Sequence, residues 1–547
     1  MDRSFEVITA SHRMKRAALV VAIAAALFVL YFMRLGSYPL IDADEPIYGR
    51  FAVEMASGGD WLTPHYFGKL WFDKPPMFYW ESAACIKLFG PNEFACRFPS
   101  AVLAVGLVGL VYLLASHDFG RRAGWLSAIV MATCFEQIVL AHAAVTDMTL
   151  AFCLIASLYA YRRWFDAGGR ARFGWMALCG AMMGFAMLTK GPVAIVLLGV
   201  TFIVQLAWER RLKRLFGLDV LLGIIALAII GFPWYIAMLR LHHDAFIAGF
   251  LEQNNITRFL KPEHASQTGA WYSHFINIPI LFGLFFPWSL FIIPAMRAKW
   301  RANAGARLLA VWFAVVFVFF SLSSTILPTY IFPAFPACAI FVGAFLAAAA
   351  SESIGAVITV KRALTVGLVF CLLMIAAALT GGGHSRYPEA VPIAASLFGI
   401  LAITMACAFI MVARPKSGEP VKAAWTVGVG MILFTGCLMT AGTPLIAQRA
   451  SSRALAVGIP SGIGADLMDF SLSRPSIEFY LQRPVQHGQD AAAIRQRLMG
   501  DRPVLVFCKP GDLDQIKVPG AFEYARSGEV MVVGNPAAAR LEKWRAK

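Results

Sequence analysis

The chain has 547 residues, of which 59% are hydrophobic and 15% are charged, and its formal net charge is +16. A soluble protein of this length carries about 25% charged residues, so the composition excludes an ordinary soluble domain. Lys and Arg gather in short loops between apolar runs, which indicates membrane topology rather than nucleic-acid binding. No Cys-x-x-Cys motif or Cys/His cluster is present that would mark a structural metal domain.

Apolar runs recur along the chain, and a membrane-spanning helix needs about 20 such residues. Thirteen spans are predicted, at residues 17–33, 99–116, 125–141, 148–161, 175–189, 192–207, 220–238, 279–296, 308–323, 329–350, 364–380, 390–413 and 424–441. Thirteen spans put the basic loops on the side of the N-terminus and the first long loop on the opposite, outer side. The sequence therefore predicts a mainly α polytopic membrane protein, with its first helix uncleaved.

The composition changes after residue 445, where the density of charged residues becomes ordinary. Residues 504–507 and 530–533 are predicted as short buried strands, and residues 475–481 and 491–498 as helices. The predicted organisation is a transmembrane domain at 1–445, containing the outer loop 34–98, and a small α/β domain at 446–547. No catalytic or nucleotide-binding motif is found in the second domain.

The outer loop is polar and aromatic, and its first acidic cluster is Asp42-Ala-Asp44-Glu45. Carboxylates at a membrane surface can orient a sugar hydroxyl, act as a general base or bind a divalent cation. The alternative is a helix start, with Asp44 as the N-cap and Glu45 in the first turn. We favour the functional interpretation.

A second part of the loop, Phe72-Asp73-Lys74-Pro75-Pro76, places an acid and a base beside two prolines. The prolines fix the backbone after Lys74, and a lysine held in this way suits a lipid phosphate. The alternative is a lysine that extends its ammonium group to the membrane boundary. From the residues alone the two interpretations are equally good.

Two ionisable residues at the edges of apolar runs are further candidates. Asp147 follows His142 at the start of one run, and Lys190 interrupts two others in Thr189-Lys-Gly-Pro192. Ionisable residues at such positions are functional candidates, although a helix cap for Asp147 and an interface marker for Lys190 are the plain alternatives. The histidines of the loop at 240–277 lack metal-ligand spacing, so no metal residues are assigned, and a divalent cation is left open.

These motifs together resemble the first periplasmic loop of bacterial lipid-to-lipid glycosyltransferases. The similar segments of the loop are Asp42-Ala-Asp-Glu45-Pro-Ile-Tyr48, Ser57-Gly-Gly-Asp60-Trp61-Leu-Thr-Pro64 and Phe72-Asp73-Lys74-Pro75-Pro76. Outside the loop, the similarity extends to Ala144-Val-Thr-Asp147, Thr189-Lys-Gly-Pro192 and Leu327-Pro-Thr-Tyr330. The family is that of the aminoarabinose transferases of lipid A, within the protein O-mannosyltransferase superfamily. The likeness covers the N-terminal 340 residues in sequence and the rest in architecture.

The resemblance implies a C-type glycosyltransferase fold and transfer of a sugar from a polyprenyl (undecaprenyl) phosphate to an acceptor, with inversion. It implies an enzyme of the bacterial inner membrane whose site faces the periplasm and whose acceptor is a lipid such as lipid A. The residues it assigns to catalysis are Asp44 and Asp147. It assigns Asp73 and Lys74 to substrate binding. The other residues predicted to bind substrate are Glu45, Tyr48, Arg50, Lys190, Arg258 and Tyr330.

The chain departs from the family pattern at several cationic positions. Ile47 stands where an Arg is common, Ser324 and Ile326 replace lysines, and Asn254-Asn255 replaces a histidine. Fewer cations predict weaker binding of phosphates, which argues against a doubly phosphorylated lipid A acceptor and against a bound metal. A protein O-glycosyltransferase with the same donor class is the alternative. A lipid or solute transporter is the rival from another class, but transporters place polar residues at mid-membrane, whereas these gather at one face.

Overall fold

A computed structural model describes residues 2–257, 274–299, 301–350, 354–381, 387–413, 419–460 and 462–541. The chain forms two compact units. Unit 1 comprises Met1–Met33, Phe72–Met77 and Ser100–Met439, and unit 2 comprises Arg34–Trp71, Phe78–Pro99 and Thr440–Lys547. Unit 2 thus contains most of the outer loop as well as the C-terminal segment. The division into a transmembrane domain at 1–445 and an α/β domain at 446–547 stays a prediction.

The helices up to residue 449 account for most of the chain. They are α1 (Asp2–Tyr31), α2 (Asp44–Gly58), α3 (Met77–Phe89), α4 (Glu93–Phe119), α5 (Arg121–Ala132), α6 (Phe135–Ala141), α7 (Thr146–Asp166), α8 (Ala171–Lys190), α9 (Val193–Trp208), α10 (Leu218–Phe246), α11 (Asn277–Leu284), α12 (Ile292–Lys299), α13 (Ala304–Leu322), α14 (Phe335–Ala349), α15 (Ile354–Gly381), α16 (Ala390–Ala413), α17 (Glu419–Cys437) and α18 (Thr443–Arg449). The segment Ile247–Thr257 continues α10 as a π-helix.

Every predicted apolar run coincides with a helix or with a pair of helices separated by a bend. The run at 125–141 is α5 and α6, bent by 61°, and the run at 279–296 is bent by 111°. By length and composition, 8 helices of the described residues can cross a membrane, or up to 10 when each bent pair counts as one. The polytopic, mainly α class is therefore confirmed, and the count of thirteen spans stays a prediction.

The contact between α8 and α10 depends on small residues. A Cβ atom on Gly180 would lie 1.9 Å from the carbonyl oxygen of Gly223, so the two backbones touch at this level. Close approach of this kind favours van der Waals packing, on which helices in a bilayer rely. The Tyr235 hydroxyl also donates to the Met187 carbonyl oxygen at 2.8 Å. Together these contacts fix α8, at whose end Lys190 lies.

Unit 2 contains a four-stranded sheet formed by β3 (Asp466–Asp469), β4 (Val504–Cys508), β5 (Phe522–Ser527) and β6 (Val530–Gly534). Its order is β3-β4-β6-β5, with β3 and β4 parallel and the other pairs antiparallel. Both strands predicted from sequence are present. The helices of this segment are α19 (Arg453–Gly458), α20 (Pro475–Leu481), α21 (Ala491–Leu498), α22 (Leu513–Ile516) and α23 (Pro536–Ala539), and a hairpin of β1 (His65–Tyr66) and β2 (Lys69–Leu70) belongs to the outer loop.

Both faces of the sheet are covered, which explains why β4 and β6 are apolar throughout. Leu505 and Phe507 of β4 pack in one hydrophobic cluster, whereas Val504 and Val506 pack in the other. Successive side chains of a strand point to opposite faces, so a strand buried on both sides shows no polar alternation. The sheet is therefore the core of this part of unit 2.

A buried arginine organises the outer-loop part of unit 2. Arg97 is 0% exposed, and its guanidinium group contacts both carboxylate oxygens of Glu45 at 2.8 and 2.7 Å. It also donates to the carbonyl oxygens of Leu35, Tyr38 and Pro39. A buried charge is tolerated only when it is paired and hydrogen-bonded, and Arg97 meets both conditions.

We expect Arg97→Ala to destabilise the protein by about 3–5 kcal/mol, because it leaves the Glu45 carboxylate buried without a partner. The measurement is the thermal unfolding midpoint of the purified protein in detergent. Arg526→Ala is the control, since that side chain is 48% exposed and pairs with an equally exposed Glu523. Equal midpoints for the two variants would contradict a structural role for Arg97.

His487 predicts a pH dependence of stability in unit 2. Hydrogen bonds from its ring to the Asp469 and Glu478 carboxylates raise the pKa of His487 to about 9. A raised pKa means that the stabilisation is complete below pH about 6.5 and is lost as the pH rises to about 9. The midpoint should fall over that range, and His487→Gln should flatten the fall. His65→Gln is the control, and an unchanged slope in His487→Gln would refute the assignment.

Candidate active site

A cavity of about 270 Å³ in unit 1 brings together four residues predicted from sequence: Asp73, Lys74, Lys190 and Tyr330. These residues come from three separate parts of the chain. Its other lining residues are Val193, Val196, Phe250, Asn254, Phe319, Phe320, Ser323 and Thr325. The cavity therefore has a cationic part and an apolar part.

Lys74 lies in the short segment just before α3. Its ammonium group contacts the Asp73 carboxylate at 2.9 Å, and the Lys74 side chain is 12% exposed. Asn254 donates to the carbonyl oxygen of Phe72 at 3.4 Å and to that of Gly249 at 2.8 Å, which ties this segment to the end of α10. Pro75 and Pro76 restrict the backbone that follows. The backbone on either side of Lys74 is thus fixed, by the hydrogen bond at Phe72 before it and by the two prolines after it.

Lys190 lies at the last position of α8 and points into the same cavity. Its ammonium group is 2.9 Å from the Asp147 carboxylate, and both side chains are 13% exposed. The Tyr330 ring lies 4.7 Å from the Lys190 nitrogen, in the range of a cation–π contact. Asp147 is in the first turn of α7, so it acts on the cavity through Lys190 rather than by lining it.

The chemistry of the cavity favours an amphiphile with an anionic headgroup. Two ammonium groups provide point charges for a phosphate, and each is held by a carboxylate of its own. Val193, Val196 and the aromatic rings of Phe319 and Phe320 form an apolar wall suited to a hydrocarbon chain. Ser323 and Thr325 add neutral hydrogen-bonding groups.

The predicted residues of the first acidic cluster lie in unit 2. Asp44 is exposed at the first position of α2, whereas Glu45 is buried against Arg97. Tyr48 is 6% exposed and packs on the rings of Phe78 and Tyr79. These contacts of Glu45 and Tyr48 stabilise the fold of unit 2. The substrate-binding roles predicted for both residues stay predictions.

Asp42, the third acid of that cluster, has a structural contact that the sequence did not indicate. Its carboxylate accepts hydrogen bonds from the backbone N–H of Ser476 at 2.7 Å and from the Ser476 hydroxyl at 2.6 Å. Burial raises the pKa of Asp42 to about 6, although the bonds from Ser476 partly offset this. Asp42 thus joins the outer loop to α20 within unit 2.

Arg50 lines a separate cavity of about 620 Å³ in unit 2, with Glu54, Asp60 and His65 among its other walls. The Arg50 guanidinium group pairs with Glu54 at 2.9 Å and lies 4.1 Å from the centre of the Phe67 ring. It also hydrogen-bonds the side chain of Gln482. A carbohydrate-sized, mixed-charge cavity at this position was not predicted from the sequence.

Three further points concern the predictions. Arg258 lies outside the described residues. Within the described residues no group of three or more His, Cys, Asp or Glu side chains is arranged to hold a metal ion.

Arg97, Ser323 and Thr325 were not singled out from the sequence. A buried Arg in an apolar run was the available signal for Arg97, but nothing local distinguishes the two hydroxyl residues.

Comparison with known proteins shows which proteins this chain resembles in sequence. The family described as dolichyl-phosphate-mannose-protein mannosyltransferase matches residues 73–236. An undecaprenyl phosphate-alpha-4-amino-4-deoxy-L-arabinose arabinosyl transferase of Pseudomonas fluorescens is 31% identical over 58% of this chain and 56% of its own length. A transferase of the same name from Erwinia tasmaniensis is 28% identical over 78% of this chain and 76% of its own. The match thus spans little more than half of the first of these relatives.

The similarity to solved structures extends over nearly the whole chain. The crystal structure of ArnT from Cupriavidus metallidurans bound to undecaprenyl phosphate matches with a TM-score of 0.82 and 25% identity, over 95% of this chain and 98% of that one. The chain is therefore similar to the aminoarabinose transferases both in sequence and in fold. An archaeal oligosaccharyltransferase, AglB from Archaeoglobus fulgidus, shares the fold at 13% identity with a TM-score of 0.51, over 92% of this chain and 70% of that one. The expected C-type glycosyltransferase architecture is thereby confirmed.

Proposed function

We propose that the protein transfers a sugar from a polyprenyl phosphate to a lipid acceptor such as lipid A. The observation that carries this proposal is the cavity of unit 1, where Lys74 and Lys190 stand beside an apolar wall. The ArnT structure similar to this chain over 95% of its length is described as bound to undecaprenyl phosphate, a lipid with these two chemical parts. The relatives named as arabinosyl transferases support the same donor class.

The proposed reaction is a direct displacement at the anomeric carbon. An acceptor oxygen forms the new bond to this carbon while the bond to the donor phosphate oxygen breaks and its electron pair stays on the phosphate. Lys74 and Lys190 stabilise the negative charge that develops on this leaving group. Asp147 orients Lys190, and Asp73 orients Lys74, through the 2.9 Å ion pairs.

The proposed topology follows the distribution of charge. Thirteen spans place the N-terminus and the basic loops in the cytoplasm, and the start of α3 and the end of α8 on the periplasmic side of a bacterial inner membrane. The short apolar helices Ala17–Tyr31 and Val193–Trp208 then cross the membrane together with the longer ones. The α/β segment after residue 445 is periplasmic in this topology.

A protein acceptor is the second candidate. It is favoured by the match of residues 73–236 to a family described as a protein mannosyltransferase. It keeps the same donor class and the same cavity. The two candidates differ only in where the transferred sugar is found, so one assay with labelled donor distinguishes them.

The first test uses purified protein in detergent with a labelled polyprenyl-phosphate sugar and a Gram-negative membrane extract, which offers both lipid and protein acceptors. We expect label on lipid A and a loss of rate of about 10²–10³-fold in Lys74→Ala and Lys190→Ala, as for removal of one electrostatic donor. Lys422→Ala is the control, because its side chain is 63% exposed and pairs with Glu419 on α17. Label on protein would favour the second candidate, and full activity of both variants would refute the role of the cavity.

The second test concerns Asp44, which we propose as general base when the acceptor is a hydroxyl. Asp44→Asn should then lower the rate about 10²–10⁴-fold without changing the thermal midpoint. Asp501→Asn, an exposed carboxylate in the same unit, is the control. If the acceptor is a phosphate, which is already ionised, no base is needed. Retained activity of Asp44→Asn on a hydroxyl acceptor would end the base proposal.

A further inference from the structure

A second cation-lined cavity, of about 290 Å³, lies in unit 1 where α7 ends and α8 and α10 begin. Arg172, Lys213, Arg214 and Asp219 contribute to its lining. Arg172 and Lys190 are at opposite ends of α8, so the rise of the helix separates them by about 27 Å. The cavity is therefore distinct from the candidate active site.

The cavity has an excess of positive charge. Its carboxylate, Asp219, is 3% exposed and already accepts hydrogen bonds from the indole N–H of Trp164 and, at 3.1 Å, from Arg172. Lys213 is exposed and forms no ion pair with any residue in the described part of the chain. Three cations thus face one carboxylate whose charge is largely satisfied, which leaves the cavity suited to an anion.

The surrounding residues hold the Arg214 guanidinium group in place. Arg214 donates to the carbonyl oxygen of Phe165 at 2.8 Å and lies over the rings of Phe165 and Trp164. The short 3₁₀-helix Leu212–Phe216 carries Lys213 and Arg214 directly before α10. The positive-inside rule explains why basic residues occur in this loop, but it does not explain their convergence on a cavity beside a buried acid.

Apolar residues at the mouth of the cavity indicate where its anion comes from. Phe216 is 90% exposed and Leu218 is 72% exposed, directly beside the cations. In a membrane protein, such residues lie in the lipid at the boundary with the headgroups. The anion available at this depth is the phosphate of a lipid headgroup. Basic pockets between helices on the cytoplasmic side of a membrane bind such headgroups.

We propose that this cavity binds the phosphate of an anionic membrane phospholipid, with Lys213 and Arg214 contacting the headgroup and Phe216 and Leu218 packing on its acyl chains. The lipid then bridges the end of α7 and the starts of α8 and α10, the helix pair whose packing places Lys190. This lipid site is separate from the candidate active site, so the test of lipid binding does not depend on the proposed sugar transfer.

The test measures lipid binding to the delipidated full chain in detergent, by native mass spectrometry and by the thermal midpoint. The probes are phosphatidylglycerol, phosphatidylcholine and inorganic phosphate. The variant is Lys213→Gln, which removes one charge from an exposed side chain, and Lys213→Glu is the stronger form. Arg121→Gln is the matched control, because Arg121 is an exposed cation at the start of another helix, α5, outside the cavity.

We expect phosphatidylglycerol to bind and to raise the midpoint, and phosphatidylcholine to bind at least tenfold more weakly. Lys213→Gln should weaken phosphatidylglycerol binding about fivefold, the effect of one cation near an anionic membrane surface. Arg121→Gln should bind as the parent protein does. Equal binding of the two lipids, or parental binding by Lys213→Glu, would overturn the proposal. Inorganic phosphate that stabilises as well as the lipid would assign the site to a free anion instead.

Discussion

The ion pair between Lys190 and Asp147 is the interaction on which the cavity of unit 1 depends. Each residue is at the end of an apolar helix, where an unpaired charge is costly because water is scarce. Their 2.9 Å contact allows α7 and α8 to present a cation to the cavity without an uncompensated charge. The same carboxylate orients the ammonium group of Lys190 at the cavity.

The helices around this pair explain how it stays in place. Gly180 and Gly223 bring the backbones of α8 and α10 into contact, so α8 has little freedom to rotate or slide. The ring of Phe246, at the end of α10, packs on the Phe72 ring, and Asn254 of the following π-helix donates to the carbonyl oxygen of Phe72. Lys74 and Lys190 are therefore positioned by one connected set of contacts.

Unit 2 is stabilised by different interactions. Its outer-loop part is held by a buried ion pair, Arg97 with Glu45, and by the hydrogen bonds of Asp42 to Ser476. Its C-terminal part is held by a sheet with apolar residues on both faces. The residues of the acidic cluster thus differ in their surroundings. Glu45 and Tyr48 are buried and stabilise the loop, whereas Asp44 at the same turn is exposed.

The sequence by itself determined the class of the protein, the places of its helices and most of the chemistry of its candidate site. Apolar runs must become helices in a bilayer because every backbone polar group needs a partner, and ionisable residues at their ends stand out against that background. Asp147 and Lys190 were visible for this reason, whereas Asp73 and Lys74 stood out beside two prolines of the outer loop. Tyr330 was predicted from the resemblance. Only the tertiary structure decided which charges pair with one another, since pairs such as Arg97 with Glu45 are far apart in the chain. It also revealed the cation-lined cavity at the opposite end of α8, because convergence of loop residues depends on helix packing and leaves no local pattern in the sequence.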